Sequence, residues 1–214
     1  MDYEEEAAKA LLNIGAVGFK PNEPVTFKSG IISPVYVDNR RFPFHPQEWR
    51  IVIEGFKSLI DKDNIDCDAI AGVEAAGIPH SAALGFFIQK PSVFVRKEAK
   101  DHGLKKRVEG GDITGKKVLL IEDLVSTGGS SLSVIEAMRA EGGVVDDLMV
   151  IVTYGFKESA EAFEKAKIKL HALTSFPVIL EQALLMDKFS ADEKIIIEDW
   201  FNDPHGWAGK YGHK

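Results

Sequence analysis

Val118-Leu-Leu-Ile-Glu-Asp-Leu-Val-Ser-Thr-Gly-Gly-Ser-Ser-Leu132 is the stretch on which the fold turns. The run Lys117–Glu122 has the continuous apolar character of a strand buried on both faces, a mark of parallel sheets. It leads directly into two adjacent carboxylates, Glu122 and Asp123, and then through Leu124, Val125, hydroxyls and glycines into a helix expected over Gly128–Glu141. Gly128 and Gly129 allow the backbone to approach a ligand in conformations that a side chain forbids. The hydroxyls of Ser126, Thr127 and Ser130, with the free amides of the helix N-terminus, make an anion site suited to a phosphate. Two carboxylates beside a phosphate are repulsive unless they face hydroxyl groups or a Mg²⁺ held by the substrate. The pattern describes a phosphorylated sugar, its ribose hydroxyls on the carboxylates and its 5′-phosphate in the loop. A plain helix cap with solvated strand-end charges is the alternative. The acidic pair at this spacing behind an apolar strand weighs against it.

Outward from this turn the same order repeats. Asp68–Val73, Ser92–Arg96, Val144–Thr153 and Ile168–Leu173 read as strands. Gly77–Gln89, Ser159–Ala166, 176–187 and 190–202 read as helices between or after them. Such alternation predicts an α/β fold with a central, mostly parallel sheet flanked by helices, and ligands at the carboxyl ends of its strands. Residues 2–15 form an amphipathic helix pattern stopped at Gly15, and a helix follows from Pro46 to about Leu59. Between them Phe19–Pro46 carries five prolines and alternation such as Val35-Tyr36-Val37, the texture of short strands and turns in a small subdomain. The tail from Trp200 to Lys214 is expected to be irregular, either packed on the body or frayed. Gly110-Gly-Asp-Ile-Thr-Gly-Lys-Lys117 approaches a phosphate-loop pattern, but it precedes a strand instead of following one and reads as a turn.

The 214 residues suit one domain with at most a small appendage. A net charge of −7 argues against coating nucleic acid or anionic membrane. No stretch has the apolar length of a membrane span, and the acidic start Met-Asp-Tyr-Glu-Glu-Glu differs from a basic leader, so a cytoplasmic location is expected. The lone Cys67 has no disulfide partner in the chain, and its context has no metal-ligand spacing. His45, His80, His171, His205 and His213 lack zinc-type spacing, and surface or core roles are expected for them.

Charge is unevenly spread. Between Arg96 and Gly111 six Lys/Arg face three Asp/Glu, a local +3 in a chain of −7. A glycine-bounded, nearly apolar-free stretch of this kind is expected to be a loop, one that beside a phosphate turn can neutralise a second polyanion and exclude water. The Glu122-to-Ser130 turn resembles the phosphoribosyl-pyrophosphate (PRPP) motif of type I phosphoribosyltransferases. Arg96-Lys-Glu-Ala-Lys-Asp-His-Gly103 resembles the catalytic loop of the orotate phosphoribosyltransferases. Phe27-Lys-Ser-Gly-Ile-Ile-Ser-Pro-Val-Tyr-Val-Asp38 and Ala71-Gly-Val-Glu-Ala-Ala-Gly-Ile-Pro-His80 are similar to that group as well. The likeness spans about residues 5–185.

The resemblance implies a single domain with a hood over about 1–45, a core over about 46–190 and a tail over about 190–214. It implies transfer of the phosphoribosyl group of PRPP to orotate, giving orotidine 5′-monophosphate and pyrophosphate in UMP biosynthesis, with Mg²⁺ held mainly by PRPP. By carry-over, Glu122 and Asp123 hold the ribose hydroxyls and residues Leu124, Val125, Ser126, Thr127, Gly128, Gly129 and Ser130 wrap the 5′-phosphate. Arg96, Lys97, Lys100 and His102 meet the pyrophosphate, with Lys100, His102 and Asp123 catalytic. Ser126, Lys28, Tyr36 and Val37 contact orotate, and Lys28 also serves PRPP. A homodimer with sites shared across its interface is implied too. Two positions depart from the family pattern. Ala76 stands where some members carry a lysine, and Thr153-Tyr-Gly-Phe156 stands where those members place an Asp-Arg pair. Carboxylate recognition therefore falls to other groups, among them backbone amides and Lys28. Transfer to a purine base and non-catalytic PRPP sensing are the alternatives. Lys28-Ser-Gly and the Lys-Asp-His-Gly loop argue against the first, and the lack of a DNA-binding segment or basic face against the second.

Overall fold

A computed structural model describes residues 2–98, 106–188 and 190–213. The chain opens with α1 (Tyr3–Asn13), whose first turn is fixed by the Asp2 carboxylate accepting from the Glu4 amide at 3.0 Å. Short strands β1 (Val17–Phe19), β2 (Val25–Thr26), β3 (Ile32–Ser33) and β4 (Val35–Val37) follow, then a 3₁₀ helix over Asn39–Phe44. They form two small antiparallel ribbons, β1 with β4 and β2 with β3. Helix α2 (Pro46–Asp63) starts on proline at its first position and stops at Asn64, which takes the left-handed conformation (φ 52°).

Strands β5 (Ala69–Val73), β6 (Ser92–Val95), β7 (Val108–Glu109), β8 (Val118–Val125), β9 (Asp147–Thr153) and β10 (Lys169–Ser175) make one six-stranded sheet in the order β10-β9-β8-β5-β6-β7. Every pairing is parallel except β6 with β7. Helices α3 (Gly77–Phe87), α4 (Gly129–Ala140), α5 (Lys157–Ala166) and α6 (Phe176–Leu185) connect or follow the strands, and α7 (Ala191–Asn202) and α8 (Trp207–Lys210) end the chain. The period of two along β8 divides its burial between two cores. Leu119 and Ile121 pack with α1, α2 and α6, while Val118 and Leu120 pack with Val134, Ile135 and Met138 of α4 and Phe163 of α5. Between β5 and β8 the chain order runs off in opposite directions, which places the ligand crevice at their carboxyl ends.

Three local readings change. The buried strand does not end at the acidic pair. Pairing of Leu124 with Val152 and of Val125 with Thr153 carries β8 through it. The charged stretch contains the two-residue strand β7, too short for any periodicity to register. The tail is ordered: Trp200 and Trp207 are buried in a third cluster with Ile31, Val35, Tyr154, Phe156 and Phe176. The phosphate-loop look-alike is a turn, its Asp112 carboxylate accepting from the amide and hydroxyl of Thr114.

Candidate active site

At the carboxyl end of β8 the backbone turns through Ser126 and Thr127 to Gly128, which caps α4 at φ 84°. A side chain there would be strained, and its Cβ would lie 2.9 Å from the Phe163 ring. Close packing on the neighbouring strand fixes the same end of the sheet. A Cβ on Gly77, at the start of α3, would sit 2.5 Å from the Ile121 carbonyl oxygen. The turn therefore rests on a closely packed base.

A cavity of about 400 Å³ opens over this turn. Leu124, Val125, Ser126, Thr127, Gly128, Gly129 and Ser130 form its floor, Lys28 and Ser29 enter from the β2–β3 loop, and Lys97 and Glu98 come from the segment after β6. The free amides of the first turn of α4 favour an anion here, as do the two ammonium groups. Ser131 and Ser133 also line the cavity. Ser133 lies one turn beyond Ser130 on the same helix, a spacing that the sequence already contained.

Beside the cavity, Glu122 is 3% exposed and Asp123 half-buried. Burial, then the neighbouring Asp123 charge, pushes the Glu122 carboxyl up to about 8 against the pull of Lys97. The Lys97 ammonium is 3.4 Å from Glu122 Oε1, while Oε2 is buried without a partner. Burial also raises the Asp123 carboxyl. Asn39, fully buried at the start of the 3₁₀ helix, donates its Nδ2 hydrogen to the Asp123 carbonyl at 3.1 Å. No local sequence signal marks Asn39, because its partner is 84 positions away. A buried acceptor lacking a donor beside a second carboxylate suits the hydroxyls of a sugar. It also offers hard oxygen donors of the kind Mg²⁺ takes, but among the described residues no three His, Cys, Asp or Glu gather as a metal site. Two carboxylates supply at most part of the six oxygens that a magnesium ion takes, so substrate and water would supply the rest.

The remaining expected residues are less tightly gathered. Arg96 pairs through Nε with Glu109 at 3.2 Å, on the β6–β7 ribbon. Tyr36 and Val37 lie in β4 and outside the cavity lining. The Tyr36 ring covers Gly18, and Lys20 Nζ stands 5.9 Å from its centroid. Lys100 and His102 lie outside the described residues. The base of their segment is pinned. Arg96 N donates to Arg107 O at 2.9 Å, and Arg107 donates through Nε to Arg96 O at 2.7 Å and through Nη1 to Ser133 O at 3.0 Å.

Residues 44–170 match the family of phosphoribosyl transferase domains. The chain is 38% identical over 207 residues to an orotate phosphoribosyltransferase of Coxiella burnetii, covering 97% of this chain and 99% of the relative. Among solved structures, that of orotate phosphoribosyltransferase from Aeropyrum pernix superposes with a TM-score of 0.73 at 29% identity, over 83% of this chain and 98% of that one. UMP synthase of Leishmania donovani gives a TM-score of 0.82 at 27% identity, over 93% of this chain and 42% of the longer protein.

Proposed function

The chain belongs to the phosphoribosyl transferase domain family, and on that premise we propose that the cavity over Ser126–Ser130 is where PRPP donates its phosphoribosyl group to orotate. The reaction yields orotidine 5′-monophosphate and pyrophosphate, a step of pyrimidine biosynthesis. One observation carries the reading: Lys28, Lys97 and the hydroxyl-rich helix N-terminus share one cavity beside Glu122 and Asp123, in a chain aligned end to end with orotate enzymes.

Leu124 to Ser130 cradle the 5′-phosphate on backbone amides and hydroxyls. Glu122 and Asp123 accept from the ribose hydroxyls, which satisfies the unpartnered Oε2 and fixes the ring. As the C1–oxygen bond breaks, positive charge builds on the sugar and negative charge on the departing pyrophosphate. Asp123 lies on the side of the sugar, while Arg96, Lys97, Lys100 and His102 take the pyrophosphate, each well-placed donor contributing about 3–4 kcal/mol in comparable sites. His102 acts as a charged donor to the leaving pyrophosphate, while orotate attacks as its N1 anion, the N1 proton having passed to water before the C1–oxygen bond breaks. Magnesium, held mainly by PRPP, supplies further neutralisation of the leaving group. Ser126 and Lys28 hold orotate from within the cavity, and Tyr36 and Val37 of β4 reach it from outside that lining.

The same reading gives one domain with a hood over about 1–45, a core over about 46–190 and a tail over about 190–214. It also includes a cytoplasmic homodimer that shares its sites. The exposed aromatic side chains Phe44 on the 3₁₀ helix and Phe86 and Phe87 on α3, at 87%, 82% and 52% exposure, offer apolar surface for such an interface. Among the described residues no helix is long and apolar enough to cross a membrane. The deciding experiment supplies PRPP, Mg²⁺ and one base at a time (orotate, uracil, adenine or hypoxanthine) and follows base consumption. Orotate alone should be consumed. No loss of orotate under conditions where PRPP binds would overturn the reading.

A further inference from the structure

The C-terminal helices lie beyond the residues that match the family, yet α7 touches the hood loop whose tip lines the substrate cavity. The loop between β2 and β3 brings Lys28 and Ser29 to the cavity. It is closed by Phe27 N donating to Ile31 O at 2.8 Å and Gly30 N donating to Phe27 O at 2.9 Å. The strands behind it pair at only two positions, Val25 with Ser33 and Thr26 with Ile32. An isolated two-stranded ribbon of that length has little stability of its own. Something outside the ribbon must set where its tip stands.

Trp200 touches both limbs of that loop. Its indole Nε1 donates to the Ile32 carbonyl at 3.0 Å, and the Phe27 ring meets it edge-on, with centroids 6.2 Å apart at 89°. Tyr154, directly after β9, closes the triangle at 5.4 Å from Phe27 and 5.5 Å from Trp200. Trp200 has no exposed surface. One limb is thus held by ring packing and the other by a directional hydrogen bond, with Lys28 and Ser29 between them.

We propose that Trp200 is a positioning residue for the PRPP site. By fixing both limbs of the Phe27–Ile31 loop it sets Lys28 and Ser29 against the phosphate turn, and so makes the C-terminal helix part of the substrate-binding apparatus. The inference rests on Lys28 being a PRPP ligand. The test removes only the indole N–H, by placing 3-benzothienylalanine at position 200, a substitution of the same shape that leaves the aromatic cluster filled; Trp200→Phe is the conventional companion. Both are made with and without Lys28→Ala, and KM for PRPP, kcat and PRPP affinity by calorimetry are measured. Loss of one buried hydrogen bond should raise KM for PRPP about five- to tenfold, with kcat changed less than about twofold. The Lys28→Ala background should remove most of that effect, because the charged residue being positioned is gone. A residue that merely stabilised the fold would instead give the same penalty in both backgrounds. An unchanged KM in the benzothienyl protein, or equal penalties with and without Lys28, overturns the inference. If Lys28→Ala weakens PRPP binding and the benzothienyl change does not, the inference falls alone. If Lys28→Ala leaves binding intact, the reading of Lys28 falls and the inference with it.

Discussion

Glu122→Gln should stabilise the ligand-free protein increasingly as the pH rises. The Glu122 carboxyl is 3% exposed, and burial beside Asp123 carries its pKa from 4.5 to about 8. In the unfolded chain it titrates near 4.5. Between those two values the folded state keeps a proton that the unfolded state has released. Stability therefore falls as the pH rises through that window and stops falling above about 8. At 1.36 kcal/mol for each pH unit, the loss traceable to this one group is about 3–6 kcal/mol. Glutamine fills the same space and does not titrate. Urea unfolding of both proteins at pH 5, 7 and 9 isolates Glu122 together with its coupling to Asp123 and Lys97, since ionisations elsewhere cancel in the difference. The stability of the glutamine form relative to the unaltered chain should rise by about 3–6 kcal/mol from pH 5 to pH 9, a midpoint displacement of roughly 1–3 M urea. A difference that stays flat, or that falls with pH, would refute the claim that this carboxyl is held protonated by its burial.

Gly128→Ala puts a side chain at φ 84° and its Cβ 2.9 Å from the Phe163 ring. It should cost about 1–3 kcal/mol in urea unfolding and weaken PRPP binding in titration, and an unchanged protein would mean that the turn tolerates a Cβ. Mixing a Lys100→Ala protein with an Asp123→Asn protein should recover part of the activity that each lacks, if sites are completed across a dimer. No recovery despite demonstrated subunit exchange would count against shared sites.

Much of the sheet was legible in the sequence because parallel strands buried on both faces leave continuous apolar runs, as Val118–Ile121 does. The turn after it was legible because hydroxyls and glycines behind an acidic pair have few other uses. What escaped notice depends on distance along the chain. Trp200 finds Ile32 across 168 positions and Asn39 finds Asp123 across 84, and neither pairing leaves a local pattern. The unequal surroundings of the two carboxylates were hidden for a related reason. Pairing with β9 carries the strand past both, so their side chains point to opposite faces of the sheet, and Glu122 takes the buried one. The ordered tail was ambiguous because Trp207, besides stacking on Tyr211 and His213, shares its cluster with hood residues such as Ile31 and Val35, far from it in sequence.

The pinned base between Arg96 and Arg107 has a consequence for any assembly of two chains. Ten residues separate those two, and both of their backbones are tied at one point on the edge of the sheet. An out-and-back path of ten residues, even fully extended, carries its backbone at most roughly 18 Å from its anchor, and a lysine or histidine side chain adds about 6 Å to that reach. That length is a leash. Whatever Lys100 and His102 serve, in their own subunit or in a neighbour, must lie within it. A dimer whose second site stood farther than that from the Arg96–Arg107 tie could not be completed by this segment, whatever the affinity of its charges.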